Sequence, residues 1–251
     1  MTGKLAGRTA LVTGASRGIG EAIALSLGEE GASLALVSRD DKNLSRVSEK
    51  AKRLGIRSEI FAADVSNEAS VEHLRDDVLS RLGVVDILVN NAGVNIRKPL
   101  TDFTTAEWRS VIDTNLLGPF LVCRAFVPSM KGRGYGRIIN MTSTMSHVAT
   151  ANRTAYAASK AGLLGFTKAL AIELAPEAIT VNGISPGWFE TELTKPIWNN
   201  PEANLSLVQR IPLGKWGDVD EIGKLAAFLC SNKAGYITGT DILIDGGYTT
   251  Q

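Results

Sequence analysis

Two cysteines, two histidines and 6% aromatic residues in 251 positions leave little material for several kinds of chemistry. Cys123 and Cys230 lie far apart and neither sits in a CxxC or Cys/His grouping, so two buried thiols are expected rather than a disulfide framework. No grouping of His, Asp, Glu or Cys has metal-ligand spacing, and no metal is expected. An excess of one charge is missing too. The 27 Lys and Arg against 26 Asp and Glu leave a net +1, which gives no ground for nucleic acid or an anionic membrane surface as a partner. No unbroken apolar run approaches the roughly 18 residues of a membrane span. The opening MTGKLAGRTALVTGA has no signal-peptide core before its first glycine turn. The expectation is a cytoplasmic protein acting on a small molecule, with no nucleic acid and no membrane.

What is present is an ordinary globular balance, 44% apolar and 21% charged, with short strand-like runs separated by helical stretches. The strand candidates are TALVT (9–13), SLALVS (33–38), SEIFAADV (58–65), DILVNNAG (86–93), GRIINMTS (136–143), ITVNGISPG (179–187) and DILID (241–245). Several are nearly continuous in Val, Ile and Leu, as strands covered on both faces are. The segments between them carry helical apolar spacing, for example Ile23, Leu25 and Leu27 ahead of Glu29 and Glu30. This alternation predicts an α/β, single-domain, doubly wound Rossmann fold over 1–251, a seven-stranded parallel sheet with helices on both faces. A stretch rich in Trp and Pro after Pro186 predicts short helices and a mobile substrate lid over about 188–215.

Three local patterns carry chemistry. First, a strand, then Gly14-x-x-x-Gly18-x-Gly20, then a helix: glycines allow a tight turn, and the helix N-terminus offers free N–H groups to a pyrophosphate. Second, the next strand ends with Ser38 where a ribose-binding carboxylate would be expected, followed by Arg39, with Arg17 inside the glycine turn. Two guanidinium groups there favour a 2′-phosphate over a hydroxyl, hence NADP(H), with NAD(H) the alternative, while Asp40 is read as a helix cap. Third, Tyr156 and Lys160 stand one helical turn apart, so that an ammonium could favour the phenolate.

With these patterns in order, the chain resembles the short-chain dehydrogenase/reductase family over nearly its whole length. The resemblance implies a carbonyl–alcohol oxidoreductase with Tyr156 as general acid/base. Ser143 would hold the substrate oxygen, Lys160 the nicotinamide ribose, and Asn115 a water linking Lys160 to solvent. It implies cofactor contacts from Gly14, Ser16, Arg17, Gly18, Ile19 and Gly20, and from Ser38 and Arg39. Asp64 and Val65 would meet the adenine, and Asn91, Ala92 and Gly93, in the family's fourth-strand signature Asn90-Asn91-Ala92-Gly93, would also contact the cofactor. Pro186, Gly187, Phe189 and Thr191 would lie along the nicotinamide. It also implies a homotetramer, with the last strand at one interface and the helices around Asn115 and Tyr156 at another.

Two substrate classes compete within the family. VNGISPGWFETEL and GKWGDVDEI resemble gluconate 5-dehydrogenases, and Asn95, Arg97, His147, Asn152 and Arg153 in the pocket loops suit a hydroxylated anion, so a polyol or keto sugar acid is the first reading. GRIIN and LIDGG resemble 3-oxoacyl acyl-carrier-protein reductases, although Glu177 sits where those enzymes carry a basic docking residue. A non-catalytic NADP(H)-binding sensor is the remote alternative. Trp188, Trp198 and Trp216 are expected to pack the lid, and His73 to be on the surface.

Overall fold

A computed structural model describes residues 3–192 and 194–250; Leu193, inside the expected lid, lies outside the described residues. The seven strands are β1 (Thr9–Thr13), β2 (Ser33–Ser38), β3 (Ser58–Ala62), β4 (Ile87–Asn90), β5 (Gly136–Met141), β6 (Ile179–Pro186) and β7 (Asp241–Ile244). They form one sheet in the order β3-β2-β1-β4-β5-β6-β7, and every pairing is parallel. The central strands β1, β4 and β5 are buried at every position, as their unbroken Val/Ile/Leu runs require when helices cover both faces. The chain order reverses between β1 and β4, which opens a crevice at the carboxyl ends of these strands.

The expected strands are all present, but most end early. Ala63–Val65, Asn91–Gly93, Thr142–Ser143 and Gly187 were expected in strands and instead form the loops above the sheet. The ladder loosens gradually there, since Thr142 N still donates to Ile184 O at 2.9 Å. Those residues line the crevice, whereas Asp86 and Asp245, also expected in strands and also outside them, do not.

Helix α1 (Gly18–Glu29) is buried nearly all round, because the sheet covers one side and α9 (Val219–Cys230) the other. The close approach needs Gly223, where a Cβ would stand 2.3 Å from Ser26 Oγ. Helix α2 (Asp41–Arg53) starts at Asp40, whose carboxylate accepts from Asn43 N at 3.1 Å, so the expected cap is there. Helix α3 (Glu68–Leu82) leaves His73 exposed.

Helices α4 (Thr105–Ile112) and α5 (Gly118–Met130) join through a π-helical turn, Asp113–Leu117, into one run that is long and apolar enough to cross a membrane by length and composition. The run is not an unbroken apolar one, since Glu107, Arg109, Asp113 and Arg124 interrupt it. Val111, Leu121, Val122, Phe126 and Met130 are buried in the fold, so much of that apolar surface is spent on the core. Helix α6 (Thr154–Leu174) carries Tyr156 and Lys160. The expected lid holds two short helices, α7 (Lys195–Trp198) and α8 (Pro201–Val208).

Candidate active site

A cavity of about 530 Å³ runs across the carboxyl ends of the strands. It is lined by every sequence-predicted catalytic and cofactor residue except Asn115. Gly14 and Gly18 adopt left-handed φ of +65° and +57°, and a Cβ on Gly20 would stand 2.2 Å from Gly14 O. The turn is braced from beneath. Asn91 Nδ2 donates to Thr13 O (2.9 Å) and Gly14 O (3.1 Å), while Thr13 Oγ1 accepts from the amides of Asn91 and Ala92. Asn91 is thus tied to the turn itself as well as lining the cavity.

At the end of β2, Ser38 Oγ donates to Ser16 Oγ at 3.2 Å, and the exposed Arg39 lies 3.7 Å from Asp64. Asp64 is pulled below the usual carboxylate range despite its partial burial, by hydrogen bonds from Ser66 and the charge of Arg39. Two contributors were not foreseen. Arg46 of α2 donates to Ser16 O at 3.1 Å and pairs with Glu21 of α1 at 2.5 Å. Glu21's burial works against ionisation, yet Arg46 and Lys50 hold its pKa below the usual carboxylate range. Nothing local announces this brace, because its members are 25 residues apart.

At the other end, Ser143 caps the 3-10 turn Thr144–Ser146, with Oγ accepting from Met145 N at 3.1 Å. Lys160 Nζ donates to Met141 O at 2.5 Å and stands 5.7 Å from the ring centre of Tyr156. Burial alone lowers Lys160 to about 8. The phenol of Tyr156 is pushed up by desolvation, against the Ser143 hydrogen bond and the charges of Arg153 and Arg97, which pull it down. The expected depression by Lys160 is not seen: the ammonium turns to a carbonyl, and the cations that favour the phenolate are two arginines. Tyr156 is half-buried and lines the cavity.

Asn115, fully buried in the π-helical turn, commits its amide to Val94 (Oδ1 from N, 2.8 Å; Nδ2 to O, 2.9 Å) and to Ser159 Oγ (3.1 Å). A Cβ on Gly93 would lie 3.3 Å from Asn115 Oδ1 and 3.8 Å from Lys160 Nζ, so Asn115 and Lys160 meet the same loop residue, while the hydrogen bonds of Asn115 go to Val94 and Ser159.

Among the pocket-loop candidates, Asn95, Arg97 and Arg153 line the cavity, whereas His147 and Asn152 do not. His147 turns away to Asp241 (Nε2 to Oδ2, 2.6 Å). Arg97 is exposed and Arg153 is half-buried over the Trp188 ring (5.1 Å). Desolvation against the wall lowers both guanidinium pKa values, and the charge of Arg97 adds to the effect on Arg153. Trp188 packs edge-on against Trp216 and Tyr248, both at 6.0 Å, as expected of lid packing.

Residues 14–249 match the family model described as enoyl-(acyl carrier protein) reductase. The chain is 40% identical to a 3-oxoacyl acyl-carrier-protein reductase of Pseudomonas aeruginosa over 97% of this chain and 98% of that one. Among solved structures, a gluconate 5-dehydrogenase from Burkholderia cenocepacia in complex with NADP and tartrate superposes with a TM-score of 0.94 at 36% identity, covering 98% and 97% of the two chains. A blue fluorescent protein from a metagenomic library, in complex with NADPH, gives 0.92 at 34%, covering 98% and 99%. With this sheet order and this site, the chain belongs to the short-chain dehydrogenase/reductase family. It is an oxidoreductase of that family.

Proposed function

We propose that the protein is an NADP(H)-dependent oxidoreductase interconverting a keto sugar acid and its secondary alcohol. The observation that carries the substrate class is the pair Arg97 and Arg153. Both line the cavity with Tyr156 and Ser143, and neither has an acidic partner among the described residues. Two cations facing one pocket repel each other, and a substrate carboxylate relieves that repulsion. The tartrate carried by the Burkholderia relative, a hydroxylated dicarboxylate, supports the same reading.

The cofactor fits the residues present. The glycine turn leaves no room for a Cβ at Gly20, α1 begins at Gly18, and Arg17 and Arg39 line the same end of the cavity with no carboxylate at the end of β2. When bound, NADP(H) supplies or accepts a hydride at its nicotinamide ring. Ser143 holds the substrate oxygen, and the Tyr156 phenol gives that oxygen its proton in reduction and takes it back in oxidation. Lys160, fixed on Met141 O, would hold the ribose, and Asn115 fixes the loop at Val94, which lines the cavity.

A carrier-protein reductase is the second reading, favoured by the 40% identity to the Pseudomonas enzyme. Against it, Glu177 accepts from Gly132 N at 3.0 Å, beside Lys131 and Arg133, and places a negative charge on the basic loop that would meet an acidic carrier. An assay panel decides: kcat/KM with NADPH for 5-ketogluconate and related keto acids, against acetoacetyl thioesters. A higher value for a thioester than for every sugar acid overturns the first reading.

We also propose a homotetramer. Leu117, Phe120 and Ile172 on the outer faces around α5 and α6, and Leu243 on the edge strand β7, are exposed large apolar residues at the two expected interfaces. A stable monomer by sedimentation at micromolar concentration rejects this.

A further inference from the structure

We propose that His147 and Asp241 form a positioning pair that sets the Ser143 hydroxyl in the active site. Asp241 opens the edge strand β7, opposite Gly183 in β6, and its carboxylate is 4% exposed. A Cβ on Gly183 would stand 2.2 Å from Asp241 Oδ1, so the glycine leaves the space that the carboxyl fills. Oδ1 accepts from Thr142 Oγ1 at 2.5 Å, and Oδ2 accepts from Ser185 Oγ and His147 Nε2, both at 2.6 Å. A carboxylate taken out of water is tolerated only when hydrogen-bonded. Here three side chains from three segments supply the bonds.

Two of those segments flank Ser143. Thr142 is the residue before it, and His147 closes the 3-10 turn that Ser143 caps, its own amide donating to Thr144 O at 3.0 Å. The carboxylate therefore grips the chain on both sides of the serine. Inside the loop so closed, Ser146 N donates to Ser143 O at 2.8 Å and Met145 N to Ser143 Oγ at 3.1 Å, which aims the hydroxyl. Released from Asp241, the far end of the turn keeps its backbone bonds, among them Val148 N to Thr144 O at 2.9 Å, and the packing of Met145 and Val148, but loses its side-chain tie to the sheet edge. Neither His147 nor Asp241 lines the cavity, so both act through Ser143 and touch no reactant. His147 must donate to the carboxylate, which places a proton on Nε2 whichever charge the ring carries.

The test uses His147→Ala, His147→Asn and His147→Gln, assayed with NADPH and 5-ketogluconate or acetoacetyl-coenzyme A, whichever the wild type reduces faster. The amide nitrogen of Gln reaches the place of Nε2, whereas that of Asn stops near Nδ1. Expected are kcat losses of about ten- to a hundredfold for Ala and Asn, with NADPH affinity unchanged, and recovery to within about threefold of wild type for Gln. If His147→Ala fails to fold, the contrast between Asn and Gln reads the same geometry. Gln as slow as Asn, wild-type kcat in all variants, or a loss of NADPH affinity matching the loss of kcat would each overturn the proposal. The outcome does not depend on which substrate class is correct.

Discussion

Lys160 Nζ lies 2.5 Å from the carbonyl oxygen of Met141 and 5.7 Å from the centre of the Tyr156 ring. The lysine is held by the end of β5, one residue beyond which the chain turns off to carry Ser143. The same strand end thus sets the ammonium and the hydroxyl that caps the next turn. Tyr156 meets them from one turn earlier on α6.

Tyr156→Phe removes only the phenolic proton. Turnover should fall by more than about a hundredfold, the usual worth of a general acid/base, while NADPH affinity stays nearly intact. Lys160→Ala should damage both, since the ammonium also serves the ribose in the proposed mechanism. Steady-state rates and NADPH fluorescence titration measure the two effects separately. A Tyr156→Phe enzyme retaining a few per cent of activity would remove tyrosine from its role.

The burial of Lys160 also fixes a dependence of stability on pH. Its folded value of about 8 lies below the ordinary 10.5, so the unfolded chain holds the proton more tightly between those limits. The cost of the buried charge is fully present below about pH 8 and is relieved as the pH rises toward 10.5. Relative to Lys160→Met, the wild type should therefore gain on the order of 3 kcal/mol across that window. Denaturant unfolding of both proteins at matched pH gives the difference. A difference that stays flat with pH contradicts a depressed lysine.

Much of this was legible in the sequence because it is local. Gly14, Gly18 and Gly20 announce a turn, the i,i+4 spacing puts Tyr156 and Lys160 on one helix, and continuous Val/Ile/Leu runs announce buried parallel strands. The misses are tertiary. His147 was counted among pocket loops, but its direction is decided by Asp241, 94 residues on. The Arg46–Glu21 brace joins two helices across 25 residues, and the all-round burial of α1 is imposed by α9. Strand ends were overrun because the backbone leaves the ladder gradually at the carboxyl ends, and residues such as Asp64, Asn91 and Ser143 follow an apolar run without a turn signal to mark where pairing stops.

Arg39 and Arg17 should set cofactor preference. Arg39→Asp removes a partner for a 2′-phosphate and supplies an acceptor for a ribose hydroxyl, and it also places a second carboxylate beside Asp64, now 3.7 Å from the guanidinium. The ratio of kcat/KM for NADPH over NADH should fall by at least about tenfold, and further with Arg17→Ala added. A wild type that already prefers NADH would refute the assignment.

The last expectation concerns the pocket cations. If Arg97 and Arg153 pair with a substrate carboxylate, replacing either by Ala should raise KM for a keto sugar acid by about ten- to a hundredfold, the value of a charge-assisted hydrogen bond. A neutral ketone of similar size makes no such pair, and its KM should change little or fall. Both arginines also pull down the Tyr156 phenol, so each replacement should move the ionisation of that group upward and shift the acidic limb of the oxidative pH–rate profile, where the base becomes protonated, the same way. The two readouts separate binding from tuning. A KM effect alone makes the arginines binding groups, a profile shift alone makes them tuners of the tyrosine, and an equal KM rise for the neutral ketone would discard the carboxylate pairing altogether.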